Sequence, residues 1–216
     1  MCFSEEVSWA TLGIGSVINV ALIIALLRIK NPRVIIPIML IIGWQYALLM
    51  QIPDALAWRD LHAEYPGKLA FFLNVTQPFV AVFAVAVMLI KLNVPLVRIV
   101  PAVVMAFVYL VLVVKGANKT SFAVKPLEHC TNLDYPWWKK AIPPLFYYLT
   151  IICALMAVPS LPMVIVSMVL FISTVVVSSM LVPKGCNSGS LWCWAVAGAG
   201  LVTGVAGMLI NHPHKT

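Results

Sequence analysis

Long apolar runs alternate with short polar gaps along the whole chain. A helix needs about 20 apolar residues to cross a bilayer, and seven runs reach or approach that length: roughly 8–29, 34–58, 69–91, 99–114, 141–158, 163–182 and 190–211. The gaps are rich in Pro, Gly and Asn, which are typical of turns. Because a lipid core tolerates no unpaired backbone, we predict helices rather than a barrel. The expected fold is all-α, a single domain over 1–216 that forms a seven-transmembrane-helix bundle.

Composition supports lipid as the main solvent of this chain. Hydrophobic residues make up 62% of the sequence and charged residues 10%, whereas a soluble domain carries about 25% charged residues. The formal net charge is +7, but the basic side chains lie in short gaps and form no continuous face. They are therefore interpreted as topology signals, and nucleic acid is not expected as a partner.

The charges also predict an orientation in the membrane. All seven acids fall on the side of the amino terminus, while the tight first loop carries Arg28, Lys30 and Arg33. Positive loops stay in the cytosol, so we expect the amino terminus outside and the carboxyl terminus in the cytosol. Glu5 and Glu6 stand where a cleavable signal peptide would be basic, so none is expected.

The end of the second run carries the first candidate site. Gln51, Asp54 and Trp58 are spaced i, i+3, i+7 and share one helix face. Pro53 frees the carbonyl of Leu49 and should loosen this turn. A carboxyl group at membrane depth is costly, and this predicts a functional site.

The alternative for the same carboxyl group is a purely structural role. Asp54 would then lie at the membrane interface, where it would cap the helix or pair locally with Arg59 or Lys68. Both interpretations are open at this point.

Further polar side chains are expected at the depth of Asp54. Asn74 and Gln77 lie about 8–12 Å below the start of the third run, at about 1.5 Å per residue. The alternative for both is a hydrogen bond between helices. The one long connection, 115–140, has the size of a lid. Its His129 and Asp134 complete the predicted ligand pocket, although His129 is also compatible with a solvated loop histidine.

Four cysteines fall on the side of the amino terminus, whereas Cys153 lies within an apolar run as a buried thiol. The four allow three disulfide pairings, of which we favour Cys2 with Cys193 and Cys130 with Cys186. A metal site built on Cys2, Cys193 and His129 matches no known zinc spacing, so no metal is expected.

The last run is rich in small residues that allow close helix packing. Gly200 and Gly204 form a GxxxG pattern, with Gly207 one turn further. We expect these glycines to pack within the bundle. The alternative is a homodimer seam through Gly200 and Gly204.

Three short motifs resemble those of a family of small multi-pass membrane proteins from bacteria and, in a related branch, large DNA viruses. Residues 1–8 match its MCFSxxxS opening, and 190–193 match its Ser-Leu-Trp-Cys motif. Gln51, Asp54 and Trp58 match its Gln-x-x-Glu-x-x-x-Trp pattern, with Asp for Glu. The long loop departs from the family, because Asp134 stands where a histidine usually precedes the tyrosine. The family has no assigned activity. The resemblance implies that Cys2, Gln51, Asp54, Trp58 and Cys193 belong to one shared feature. The expected location is a plasma membrane, or a virion or host membrane.

Three functions remain open from the sequence. The first is an integral membrane protein that binds or transports a small polar or cationic ligand, with Asp54 as counter-charge. The second is a structural or assembly protein of a viral or cell envelope membrane. The third is an intramembrane enzyme that uses Cys2 or His129, which is less favoured because no histidine lies inside an apolar run. No cofactor is expected.

Overall fold

The computed structural model describes residues 4–60, 63–118, 121–126, 133–135, 137, 142–180 and 189–211, with the backbone alone at 125–126, 134, 178–179 and 189–194. Seven helical runs account for nearly all of these residues, which confirms the all-α prediction. The runs contain α1 (Glu5–Leu27), α2 (Ile35–Leu48) with α3 (Gln51–Arg59), α4 (Glu64–Lys91), α5 (Val100–Ala117), α6 (Pro144–Met156), α7 (Leu161–Met180) and α8 (Gly189–Asn211). Short 3-10 turns, Pro32–Val34 and Leu96–Ile99, precede α2 and α5.

Four runs are long and apolar enough to cross a membrane: Glu5–Leu27, Pro32–Arg59, Glu64–Lys91 and Leu96–Ala117. The described parts of α6, α7 and α8 are shorter apolar helices. Large apolar side chains cover the outside of the bundle, among them Phe83, Phe107 and Leu209, each at least 67% exposed. Such a surface suits lipid better than water.

Local signals in the sequence set the helix ends. The Ser4 side chain caps α1 by accepting a hydrogen bond from the backbone nitrogen of Val7 at 3.2 Å, and acidic residues follow in the first turn. The fifth run was expected to begin near residue 141, but α6 begins at Pro144. Two consecutive prolines, Pro143 and Pro144, are incompatible with a helix interior, and the second takes the favourable first position.

The second run is broken where the sequence predicts a loosened turn. The helix stops after Leu48 and starts again at Gln51. The carbonyl of Leu49 accepts a hydrogen bond from the nitrogen of Ile52 at 3.0 Å, because Pro53 has no donor to offer it. Gln51 and Asp54 therefore lie in the first turn of a short new helix rather than at the end of a continuous one.

The glycines of α8 allow it to approach α1 closely. A Cβ atom added at Gly204 would lie 2.7 Å from the Cδ1 atom of Leu22, and one added at Gly200 would overlap the Asn19 side chain. These contacts confirm that the glycines pack within the bundle. A homodimer through Gly200 and Gly204 stays a prediction.

Candidate functional site

Asp54 is completely buried at the start of α3. Its Oδ1 atom accepts a hydrogen bond from the Tyr135 hydroxyl at 2.7 Å, and Gln51, one turn earlier, is 1% exposed. Lys68, one of the two local partners considered for Asp54, instead forms an exposed pair with Glu64 at 2.9 Å. Asp54 thus contacts the long connection, 81 residues away in the chain.

The described part of this connection is packed into the bundle as a plug, a name we use for residues 121–126, 133–135, 137 and 142. Its buried side chains are Val124, Leu133, Tyr135, Trp137 and Ile142. Two-residue strands, β1 (Lys125–Pro126) and β2 (Leu133–Asp134), pair antiparallel within it. Because these large side chains are removed from solvent, the segment is part of the core.

Aromatic contacts join the plug to α4. The ring centroids of Phe71 and Trp137 lie 5.6 Å apart, and those of Phe71 and Phe122 lie 5.2 Å apart, both edge to face. Such pairs contribute about 0.5–1.5 kcal/mol beyond their area burial. Trp58 is half-buried and packs against the apolar cluster that the plug forms with α4.

Gly67 marks a close approach between the plug and α4. A Cβ atom at this position would overlap the backbone carbonyl of Phe122. Only glycine, which lacks a Cβ atom, allows the two backbones to lie so close. The start of α4 and the plug therefore form one packed unit.

Asn74 and Gln77 on α4 face different surroundings. The Nδ2 atom of Asn74 donates to the Sδ atom of Met50 and to the carbonyl of Ala70, both at 3.0 Å, so it links α4 to the break before α3. The Oε1 atom of Gln77 accepts a hydrogen bond from the Tyr147 hydroxyl on α6. The predicted pocket is thus divided, with Asn74 near Met50 and Gln77 deeper along α4.

Gln77 lines a partly open cavity of about 80 Å³ between α2, α4, α6 and α7. Its Nε2 atom is buried and has no hydrogen-bond partner among the described residues, and the same holds for the Oγ atom of Ser167, which lines the cavity from α7. The remaining lining is mainly apolar: Met39, Leu40, Gly43, Trp44, Ala47, Ala81, Ala84, Val85, Tyr147, Ile151, Leu155 and Phe171.

A second set of polar side chains near the middle of the helices was missed by the sequence reasoning. The Nδ2 atom of Asn19 donates to Oε1 of Gln45 at 2.9 Å, and Nε2 of Gln45 donates to Oγ of Ser16 at 2.8 Å. Nearby, Nε1 of Trp44 donates to Oγ1 of Thr203 at 3.1 Å. The available signal was the presence of Asn19 and Gln45 inside apolar runs.

Several predicted site residues fall outside the described part of the chain. These are His129, Cys2, Cys130 and Cys186, together with the side chains of Asp134 and Cys193. Their roles and the two favoured disulfides stay predictions. Cys153 is a free, half-buried thiol. Among the described residues, no group of three or more His, Cys, Asp or Glu side chains is arranged to hold a metal ion.

No protein-family model matches this chain, and neither a curated protein nor a solved structure matches it. The resemblance of its short motifs to a membrane-protein family stays a prediction, and the functional inference rests on the residues of the chain itself.

Proposed function

We propose that this protein is an integral membrane protein that binds a small molecule in the cavity between α2, α4, α6 and α7. The proposal is supported by one observation above all: Gln77 and Ser167, which both line this cavity, each hold a buried polar atom, Nε2 and Oγ, that has no hydrogen-bond partner among the described residues. A polar occupant beside these side chains would supply hydrogen bonds that the described residues do not.

The energetics favour an occupied cavity. A buried polar group without a hydrogen bond costs about 1–3 kcal/mol, and a lipid core supplies no bulk water to compensate. A water molecule needs roughly 10–15 Å³ of such space, so a cavity of about 80 Å³ has room for several waters or for the end of a larger molecule. A purely apolar void has no polar atom that needs a hydrogen-bond partner, so it would stay empty of water.

The site lies deep in the bundle. Gln77 is at the midpoint of the 28-residue α4, so a membrane-spanning α4 would hold it near the centre of the bilayer. Pro78 follows within the helix and cannot donate to the carbonyl of Asn74, which interrupts the helical hydrogen bonds at this level. Membrane proteins tolerate such interruptions where the chain lines a cavity.

Asp54 has a different role in this proposal. It does not line the cavity, and its contact with Tyr135 holds the plug against α3 and α4. We propose that Asp54 positions the plug rather than serving as the counter-charge of a cationic ligand. The charge distribution of the sequence further supports the proposal that the plug lies on the outer side of the membrane, with the amino terminus.

Gly43 offers a direct test by filling the cavity. A Cβ atom added there meets no atom of the described residues within 4 Å, and Gly43 lines the cavity. We expect Gly43→Leu to lower the amount of bound small molecule at least about tenfold. The measurement is native mass spectrometry of protein extracted with its surrounding lipid into nanodiscs.

Gly13→Leu is the matched control, because a Cβ atom added at Gly13 on α1 meets no described residue within 4 Å and Gly13 does not line the cavity. It should keep the wild-type occupancy. A wild-type protein with no bound molecule, or equal occupancy in the Gly43 and wild-type forms, would contradict the proposal. A purely structural role in an envelope membrane would then be the better account.

A further inference from the structure

We infer that the ligand of this cavity is a neutral, lipid-soluble molecule that presents an oxygen acceptor, such as a ketone carbonyl, at one end of a slender apolar body. This inference rests on the proposed function and adds the chemical class of the ligand and its route of entry. It follows from the orientation of Gln77, the lining of the cavity and the level of its mouth.

The orientation of the Gln77 amide selects an acceptor. The Tyr147 hydroxyl donates to Oε1 of Gln77, which leaves the Nε2 atom as the group without a partner. An amide nitrogen only donates hydrogen bonds. The matching atom on a ligand must therefore be an oxygen or another acceptor.

Ser167 supplies a second hydrogen-bonding group among the lining residues. It is completely buried on α7, and its hydroxyl can donate as well as accept. A carbonyl oxygen has two lone pairs, so it can accept from an amide and a hydroxyl at the same time.

The lining excludes a charged ligand. None of the lining residues carries a charged side chain, and an unpaired ion in an apolar environment is far more costly to bury than a neutral polar group. The cation expected from the sequence therefore does not suit this cavity. A neutral molecule does.

The dimensions and mouth of the cavity indicate how such a molecule enters. The volume of about 80 Å³ is well below the roughly 300–1,000 Å³ of pockets that enclose drug-sized ligands, so it holds one end of a longer molecule. The partly exposed lining residues Gly43, Ala81 and Ile151 lie near the middle of α2–α3, α4 and α6. The mouth therefore opens on the flank of the bundle, which faces lipid acyl chains if the bundle spans a membrane.

A set of competitors that share a nine-carbon chain tests the chemical class. Protein in nanodiscs is photolabelled with a medium-chain ketone that carries a diazirine on its chain, and labelled peptides are located by mass spectrometry. The competitors are 2-nonanone, nonane and nonyltrimethylammonium. We expect labelling on α2, α4, α6 or α7 that 2-nonanone displaces about tenfold better than nonane, whereas the cation displaces none.

Variants connect this preference to the named residues. Gln77→Leu should remove the preference for the ketone over the alkane while labelling persists, and Ser167→Ala should weaken that preference. Gly43→Leu should abolish labelling, and Gly13→Leu should leave it unchanged.

The outcomes separate this inference from the proposed function. If nonane competes as well as the ketone, or if the cation competes better, the cavity binds a small molecule but the assigned class is wrong. If no competitor-sensitive label reaches the four helices, both the class and the proposed function fail.

Discussion

Replacement of Gly67 by alanine is expected to lower the free energy of unfolding by about 3 kcal/mol. The new Cβ atom would overlap the backbone carbonyl of Phe122, and a backbone atom cannot rotate away as a side chain can. Overpacking of this kind costs about 1–3 kcal/mol. Detachment of the plug would add the loss of the contact between Phe71 and Phe122. Reversible unfolding in detergent, with amide exchange measured over 121–126, checks the expectation.

Gly13→Ala provides the control with the opposite sign. A Cβ atom at Gly13 meets no atom within 4 Å in the part of the chain that the structure describes, and alanine is favoured over glycine inside a helix by about 0.5–1 kcal/mol. Equal stability effects at Gly67 and Gly13, or unchanged exchange in 121–126, would show that the plug is not held against α4 as described.

Substitution of Asp54 by alanine has the second largest expected effect, a loss of about 2–3 kcal/mol. The Tyr135 hydroxyl donates to the buried Asp54 carboxyl group, and Tyr135 itself is 1% exposed. Removal of the acceptor leaves a buried donor without that bond, which costs about 1–3 kcal/mol. Asp54→Asn keeps an acceptor oxygen and should cost less.

A double-mutant cycle isolates this contact from the other interactions of Asp54. Tyr135→Phe removes only the hydroxyl, and the combined variant should show a coupling energy of about 1–2 kcal/mol. A coupling energy below about 0.5 kcal/mol, the usual limit of additivity, would mean that the hydrogen bond does not anchor the plug.

The lengths of the apolar runs were sufficient to predict the seven helical runs, because a chain that crosses a lipid core must form long apolar helices whatever their tertiary contacts. The close packing of α8 could also be predicted from the sequence, because glycines at a four-residue spacing, Gly200 and Gly204, are typical of closely packed helices. The sequence predicted only part of the break before α3. Pro53 indicated a weakened turn, but the restart of the helix at Gln51 depends on the bond between Leu49 and Ile52.

The candidate site was less predictable because it depends on contacts far apart in the chain. Depth along the helices placed Gln77 in the layer of Asp54, yet the structure directs Gln77 toward Tyr147 and the cavity, and Asp54 toward Tyr135. Nothing in the local sequence distinguishes these partners. Ser167 was missed because one serine in an apolar helix more often bonds its own backbone.

The burial of the plug was also not predictable from the local sequence. The length of the long connection suggested a lid, but Tyr135 and Trp137 are almost completely buried. The residue that allows this, Gly67, lies at the start of α4 and has no local signature beyond following Pro66. The close approach of two backbones depends on the tertiary structure, so the sequence of either segment alone does not predict it.

The most direct test of the central claim is an experimental density map of the protein in its native lipid, at a resolution that shows ordered waters. We expect elongated density that does not belong to the protein, with its end about 3 Å from Nε2 of Gln77 and its body extending to the mouth beside Gly43 and Ala81. A cavity that is empty, closed by repacked side chains or filled by separate waters alone would contradict that claim.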